Sequence, residues 1–227
     1  MKRVKLADRK LPDYTRGEEI FNMVSHIVGA ALAVAALAIG VVKAFLNHDP
    51  YEITAAFIYG FSMVILYVMS SIYHGLKPET AKKVFQVLDH CTIFFLIAGT
   101  YTPISLCALR RYNTALGWTV FGIVWGVSAL GIVVNSIDLK RYKVFSMVLY
   151  IALGWCIVLT GRSVIQAITW NGFLFLLAGG VLYTVGAILY GIAGKGGHRY
   201  IHSVFHLFVV GGSILHYFCI FFYVLVP

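Results

Sequence analysis

Charge is scarce in this 227-residue chain: Asp, Glu, Lys and Arg make up only 12% of it, where soluble domains carry about 25%. Water is therefore not its main solvent. Cysteine is equally thin. Cys91, Cys107, Cys156 and Cys219 stand singly inside apolar runs, with no CxxC spacing, which excludes a disulfide framework or a zinc ribbon and leaves them as packing residues. The chain also lacks a long polar linker, so it reads as one compact unit. A formal charge of +9 would suit a nucleic-acid binder, but the basic residues sit in short segments beside apolar runs, the pattern of membrane topology.

What is abundant is apolar: 60% of the residues are hydrophobic. A spanning helix needs about 20 mostly apolar residues, and runs of that length recur. The pattern predicts helices over Ile20 to Lys43, Glu52 to Leu76, Val84 to Leu109, Thr114 to Val134, Val144 to Gly161, Gly172 to Ala193 and Ile201 to Val226. Turn and breaker residues separate them: Asn47-His48-Asp49-Pro50, Lys77-Pro78, Asn135-Ser136, Asn171-Gly172 and Gly194-Lys195-Gly196-Gly197. The expectation is an all-α, seven-helix transmembrane bundle over residues 20–227, preceded by a polar tail over 1–19. That tail is too polar for a signal-peptide core, and the run from Ile20 to Val42 is too long for one.

Lys and Arg report the orientation. With the amino terminus inside, the inner segments hold 14: Lys2, Arg3, Lys5, Arg9, Lys10 and Arg16, then Lys77, Lys82 and Lys83, then Lys140, Arg141 and Lys143, then Lys195 and Arg199. The outer segments hold 4: Lys43, Arg110, Arg111 and Arg162. Such a bias places the amino terminus in the cytoplasm and the carboxyl terminus outside. G-protein-coupled receptors run the other way, and a retinal protein would need a lysine in the last helix, which has none.

Ionisable groups inside spans cost about 2.5–3.5 kcal/mol at the centre and are functional candidates by default. Here they are His26, His74, Asp89, His90, His202, His206 and His216. Parity puts His74, at the end of the second helix, and Asp89, His202 and His206, at the starts of the third and seventh, at one cytoplasmic depth. His202 and His206 are four apart, so both imidazoles leave one helix face and can chelate one metal ion. A pair of this kind is also the pattern of two hydrogen-bonding histidines. His74 supplies a third nitrogen, the ligand count of a catalytic zinc site with water in the fourth position. Asp89 would ligate directly or hold the metal-bound water as a base. Ser70, one turn before His74, would hold that water or a substrate carbonyl. His26, with Glu19, Asn22 and Ser25 nearby, reads either as support for the ligands or as a helix-packing polar group. His90 and His198 are weak candidates, and His216 reads as a structural hydrogen-bonder. Gly122 and Gly126 form a GxxxG; with Gly179, Gly180, Gly211 and Gly212 they predict close helix contacts. Tyr51, Tyr112, Trp118, Tyr142 and Trp170 read as interface anchors, and Arg162 as snorkelling outward.

Several of these residues form a recognisable set. Glu18 to His26, Ser70-Ser71-Ile72-Tyr73-His74, Leu88-Asp89-His90 with Ala98-Gly99-Thr100-Tyr101-Thr102-Pro103, and His202-Ser203-Val204-Phe205-His206 resemble the bacterial haemolysin III family, which belongs with the progestin and adipoQ receptors. The resemblance runs from Glu18 through nearly the whole chain. It implies a seven-helix bundle in the bacterial plasma membrane, Zn2+ on the residues at 74, 202 and 206, and Asp89 near a zinc-bound water. Adiponectin receptors in the superfamily are linked to ceramide hydrolysis, so it also implies a ceramidase-like amidase acting on membrane lipids with a ceramide-like or other acyl chain. Unlike those hormone receptors, the chain has a short amino-terminal tail and no sizeable outer segment. Two other roles stand beside the enzyme: a non-enzymatic membrane sensor or homeostasis protein with structural zinc, and a pore-forming cytolysin. A seven-span chain without a soluble form supports the last poorly.

Overall fold

A computed structural model describes residues 6–193 and 199–226. Lys2, Arg3, Lys5, the Gly194-Lys195-Gly196-Gly197 breaker and His198 lie outside the described residues. Seven helices are long and apolar enough to cross a membrane: α1 (Arg16–Leu46), α2 (Pro50–Gly75), α3 (Glu79–Tyr112), α4 (Thr114–Asp138), α5 (Lys143–Thr160), α6 (Arg162–Ala193) and α7 (Ile201–Tyr223). The described residues contain no strand.

The helices begin where the side chains can cap them. Thr15 and Glu18 make a capping box, the Glu18 amide donating to Thr15 Oγ1 at 3.3 Å and the Thr15 amide to Glu18 Oε2 at 2.8 Å, so α1 starts four residues before the apolar run that predicts it. Asp49 caps α2 through the Tyr51 amide (2.8 Å), with Pro50 at the first helical position, and Asn113 caps α4 through the Leu116 amide (2.9 Å).

Helix α4 runs through Asn135-Ser136 to Asp138 instead of stopping at Val134; its buried Asn135 donates to the Tyr150 hydroxyl at 3.1 Å rather than turning the chain. Two further spans depart from the sequence reading. Helix α6 begins at Arg162 rather than Gly172, and its break falls at Thr169, where φ is 65° and ψ 168°; Asn171-Gly172 continue the helix. The turn before the break is apolar on one face: Val164 and Ile168, four apart, are fully buried, which holds it against the bundle. The second departure is in α3, whose last part, Ile104–Leu109, widens into a π-helix directly after Pro103. Proline removes one amide donor and crowds the preceding turn, and a wider turn relieves it.

Helix α3 is the buried axis: 83% of its most apolar stretch lies inside the bundle, against half or less for every other span. It packs on α2 and α4, while α1 pairs with α2 and α6 with α7, and contacts between α1 and α7 close the ring. Tyr101 of α3 repairs a break in α5. There the helix passes into a 3-10 turn at Cys156–Thr160, and the phenol donates to the Leu153 carbonyl (2.8 Å) while accepting from the Ile157 amide (3.0 Å). Tyr101→Phe is expected to strand both groups and cost about 1–3 kcal/mol, read as a lower unfolding midpoint in detergent with the helical content retained.

The glycines divide. Gly179 lies against the His216 ring, Gly211 and Gly212 against Leu182 and Tyr183, and Gly180 faces Trp155, the close contacts the sequence predicts. Gly122 and Gly126 do not follow: their positions meet nothing within 4 Å, because this face of α4 points away from the bundle. Tyr51, Tyr112 and Trp118 are exposed near span ends, and Trp170 is exposed directly after the break in α6.

Ion pairs tie the end of the bundle away from the amino terminus. Arg111 reaches Asp49 Oδ2 (2.8 Å), the buried carboxylate of Glu52, and the Val226 carbonyl (3.0 Å), while the Asn47 amide donates to Glu52 Oε2 at 2.6 Å. Lys43 donates to the Phe221 carbonyl at 2.6 Å. Partial burial pushes the Asp49 carboxyl up, but the Arg111 guanidinium together with the backbone amides of Tyr51 and Glu52 outweighs it and holds it below the usual carboxylate range.

Candidate metal centre

The opposite end carries the histidines. His74 occupies the last turn of α2, and His202 and His206 the first turns of α7. The Nε2 atoms of His202 and His206 stand 3.1 Å apart, and the His74 ring centroid lies 5.5 and 5.0 Å from those of His202 and His206. One ligand nitrogen from each of the three lies within 4.8 Å of the others, and all three side chains are buried.

These residues fit a zinc ion. Two nitrogens bound to tetrahedral zinc at 2.0–2.1 Å are about 3.3 Å apart, close to the separation of the α7 pair. His74 Nε2, turned toward the same group, is buried without a hydrogen-bond partner. Buried polar atoms without partners are rare, and each asks for a missing ligand, ion or water.

Around this group the helices supply aromatic and acidic walls. The His26 ring stacks on His206 at 3.8 Å and meets Tyr67 edge-on at 5.1 Å; it packs against the centre and hydrogen-bonds none of its rings. Tyr14 stacks on His202 at 5.0 Å, bringing the segment before α1 over the site; burial pushes its phenol pKa well up, and the nearby Tyr190, Glu19 and Asp89 add to the rise. Lys83 fastens the same segment by donating to the Ala7 carbonyl at 2.8 Å. Glu19 Oε2 lies 2.6 Å from His74 Nδ1, and Glu19 Oε1 pairs with Lys82 at 2.8 Å.

Asp89 is outside the close group. Its carboxylate, largely buried, is 3.6 Å from His90 Nδ1 and lines a cavity shared with His202, His206 and Ser70. Ser70 is fully buried. His90 is engaged elsewhere, with the Gln86 carbonyl (2.8 Å) and the Tyr190 hydroxyl (3.0 Å), and His216 Nε2 donates to the Leu176 carbonyl (3.0 Å). Sequence reading places Glu19 only as a neighbour of His26, not as a partner of His74, and does not single out Lys82 or Tyr14. A glutamate in a first helical turn reads as a favourable partner of the helix dipole, and its pairing with a histidine 55 residues away leaves no local signal.

The cavity, about 190 Å³, starts at Tyr14, Asp89 and the α7 histidines and runs between α3, α5, α6 and α7. Ile93, Ile97, Ile104, Ile151, Phe173 and Leu177 line it. From Asp89 to Ile104 it follows α3 for about 22 Å at 1.5 Å per residue.

The fold and the histidine group together define a multi-pass membrane protein with a buried site, suited to a metal ion, at one end of its helices. Comparison gives that class a name. A family model described as "Haemolysin-III related" matches residues 14–217. The chain is 39% identical to "Hemolysin-3" of Bacillus cereus over 208 residues, 92% of each chain. It is 35% identical to "Hemolysin-3 homolog" of Bacillus subtilis (strain 168) over 210 residues, 92% of this chain and 96% of that one. It is also 26% identical to the human "Monocyte to macrophage differentiation factor" over 206 residues, 88% of this chain and 79% of that one. The chain belongs to the haemolysin III family.

Proposed function

We propose that His74, His202 and His206 hold zinc at the cytoplasmic end of the bundle, and that the centre serves membrane lipid homeostasis by hydrolysing a lipid amide such as ceramide. The observation that carries this reading is the meeting of three buried imidazole nitrogens within 4.8 Å beside a long apolar cavity; the 14 to 4 split of basic residues supports the cytoplasmic side. Bound zinc supplies a Lewis acid and a water of lowered pKa. Asp89, at the cavity wall, accepts a proton. Ser70 donates a hydrogen bond to the substrate carbonyl. The slot along α3 receives the acyl chain and excludes bulk water from the reacting bond.

A second reading, a sensor with structural zinc, draws on a different observation: the three histidines join α2 to α7 and Glu19 adds α1, so an ion there would lock three helix ends together. The name of the Bacillus cereus relative raises a third, a pore. Among the described residues the only Asp, Glu, Lys or Arg side chains lining the cavity are Asp89 and Lys143, both at one end, and no charged row for conduction follows.

Elemental analysis of purified wild type beside His202→Ala tests the common premise. About one zinc per chain is expected in the wild type, with the variant losing most of it; a metal-free wild type defeats the reading. The hydrolase is then tested on ceramide-like substrates. Wild type should release fatty acid and His74→Ala should not, whereas zinc retention without turnover on a panel of lipid amides and esters leaves the sensor.

A further inference from the structure

We infer that Glu19 is a positioning residue for the metal centre, fixing the His74 imidazole so that Nε2 faces the ion; the inference rests on the proposed zinc site. An ionised carboxylate only accepts hydrogen bonds, so the 2.6 Å contact between Glu19 Oε2 and His74 Nδ1 places the ring proton on Nδ1. Nε2 then carries the lone pair, and Nε2 is the atom buried without a partner. The Asn22 amide stands 3.5 Å from the same Nδ1, too far to compete.

Glu19 is itself held. Its second oxygen takes Lys82 at 2.8 Å, and the same ammonium donates to the carbonyls of His74 (3.4 Å) and Leu76 (3.2 Å). One lysine from α3 thus secures both the carboxylate of α1 and the backbone of α2 that carries the ligand. A metal-binding histidine depends on such a partner for its tautomer, ring orientation and basicity. A mere ion pair between α1 and α3 would need only a carboxylate near Lys82. The contact with His74 needs the full length of a glutamate.

Two variants separate these roles. Glu19→Gln removes the charge. Glu19→Asp keeps the charge for Lys82 and draws the carboxylate back from His74. Zinc affinity is measured in detergent by competition with a chromophoric chelator, and the cobalt-substituted protein is read by its visible absorption; melting of the metal-free proteins shows that each is folded. Glu19→Gln is expected to weaken zinc binding about 10–100-fold and to shift the cobalt bands, and Glu19→Asp to weaken it as well. Wild-type affinity and an unchanged cobalt spectrum in either folded variant overturn the positioning role and leave the three-histidine site standing. A wild type that takes up neither zinc nor cobalt overturns both.

Discussion

Stripping the metal from the purified protein with a chelator is expected to lower its thermal midpoint by about 8–16 °C. An ion that binds only the folded state, present at a thousand times its dissociation constant, contributes about 4.1 kcal/mol, and each kcal/mol moves the midpoint of a 150–250-residue protein by about 2–4 °C. The sign follows from the geometry. Without an ion the bundle keeps three imidazoles packed together; the α7 pair shares a hydrogen bond between its Nε2 atoms at 3.1 Å, but His74 Nε2 is left buried and unpaired. An unmet buried group of this kind costs about 1–3 kcal/mol, and the metal-free state carries that cost. Differential scanning fluorimetry before and after chelation, with zinc added back, measures the loss and its recovery; a midpoint indifferent to chelation counts against a metal at this position. His202→Ala should bring the wild-type midpoint down toward its metal-free value and make the protein insensitive to the chelator.

The spans and the meeting of residues 74, 202 and 206 were legible because each leaves a local mark. Seven apolar runs of spanning length fix the number of crossings, alternation then assigns each run's ends, and an i, i+4 histidine pair needs no knowledge of the rest of the chain to declare a shared face. What the sequence hid is what depends on partners. Glu19 and His74 lie in different helices and meet only once α1 is packed on α2. Tyr14 belongs to a polar tail whose composition carries no sign that it closes over His202. Gly122 and Gly126 share the spacing of a packing face but point outward, because the pattern identifies a face on which helices can approach and not whether one does. The break of α6 was misplaced for a related reason: Asn171-Gly172 looks like punctuation, yet burial of Val164 and Ile168 holds the preceding turn helical and moves the break to Thr169. Arg110 and Arg111 read as outer-loop charges, and charge counting does not reveal that Arg111 turns back onto a buried glutamate.

That arginine carries the second large expectation. Arg111→Ala should destabilise the protein by about 1–3 kcal/mol, the cost of leaving the buried Glu52 carboxylate short of a partner when the part-exposed guanidinium is removed, which at about 2–4 °C per kcal/mol lowers the midpoint by about 2–12 °C. Glu52 is fully buried at the start of α2; without the guanidinium its carboxylate keeps, among the described residues, the Asn47 amide at 2.6 Å. The part-exposed Asp49 can turn to water and contributes little of the loss. Replacing both partners, Glu52→Gln with Arg111→Met, removes the stranded charge with its cation and should cost less than Arg111→Ala alone; an equal or greater loss in the double variant would mean that the pair's attraction, and not the stranded carboxylate, dominates. Glu52 and His74 are separated along α2 by about 33 Å at 1.5 Å per residue, with no shared side-chain partner among the described residues, so effects at the two ends should add. Folded Arg111→Ala protein is accordingly expected to keep its zinc stoichiometry, and chelation should lower its midpoint by the same increment as in the wild type. A smaller increment would reveal coupling between the ion-paired end and the histidine end through the bundle.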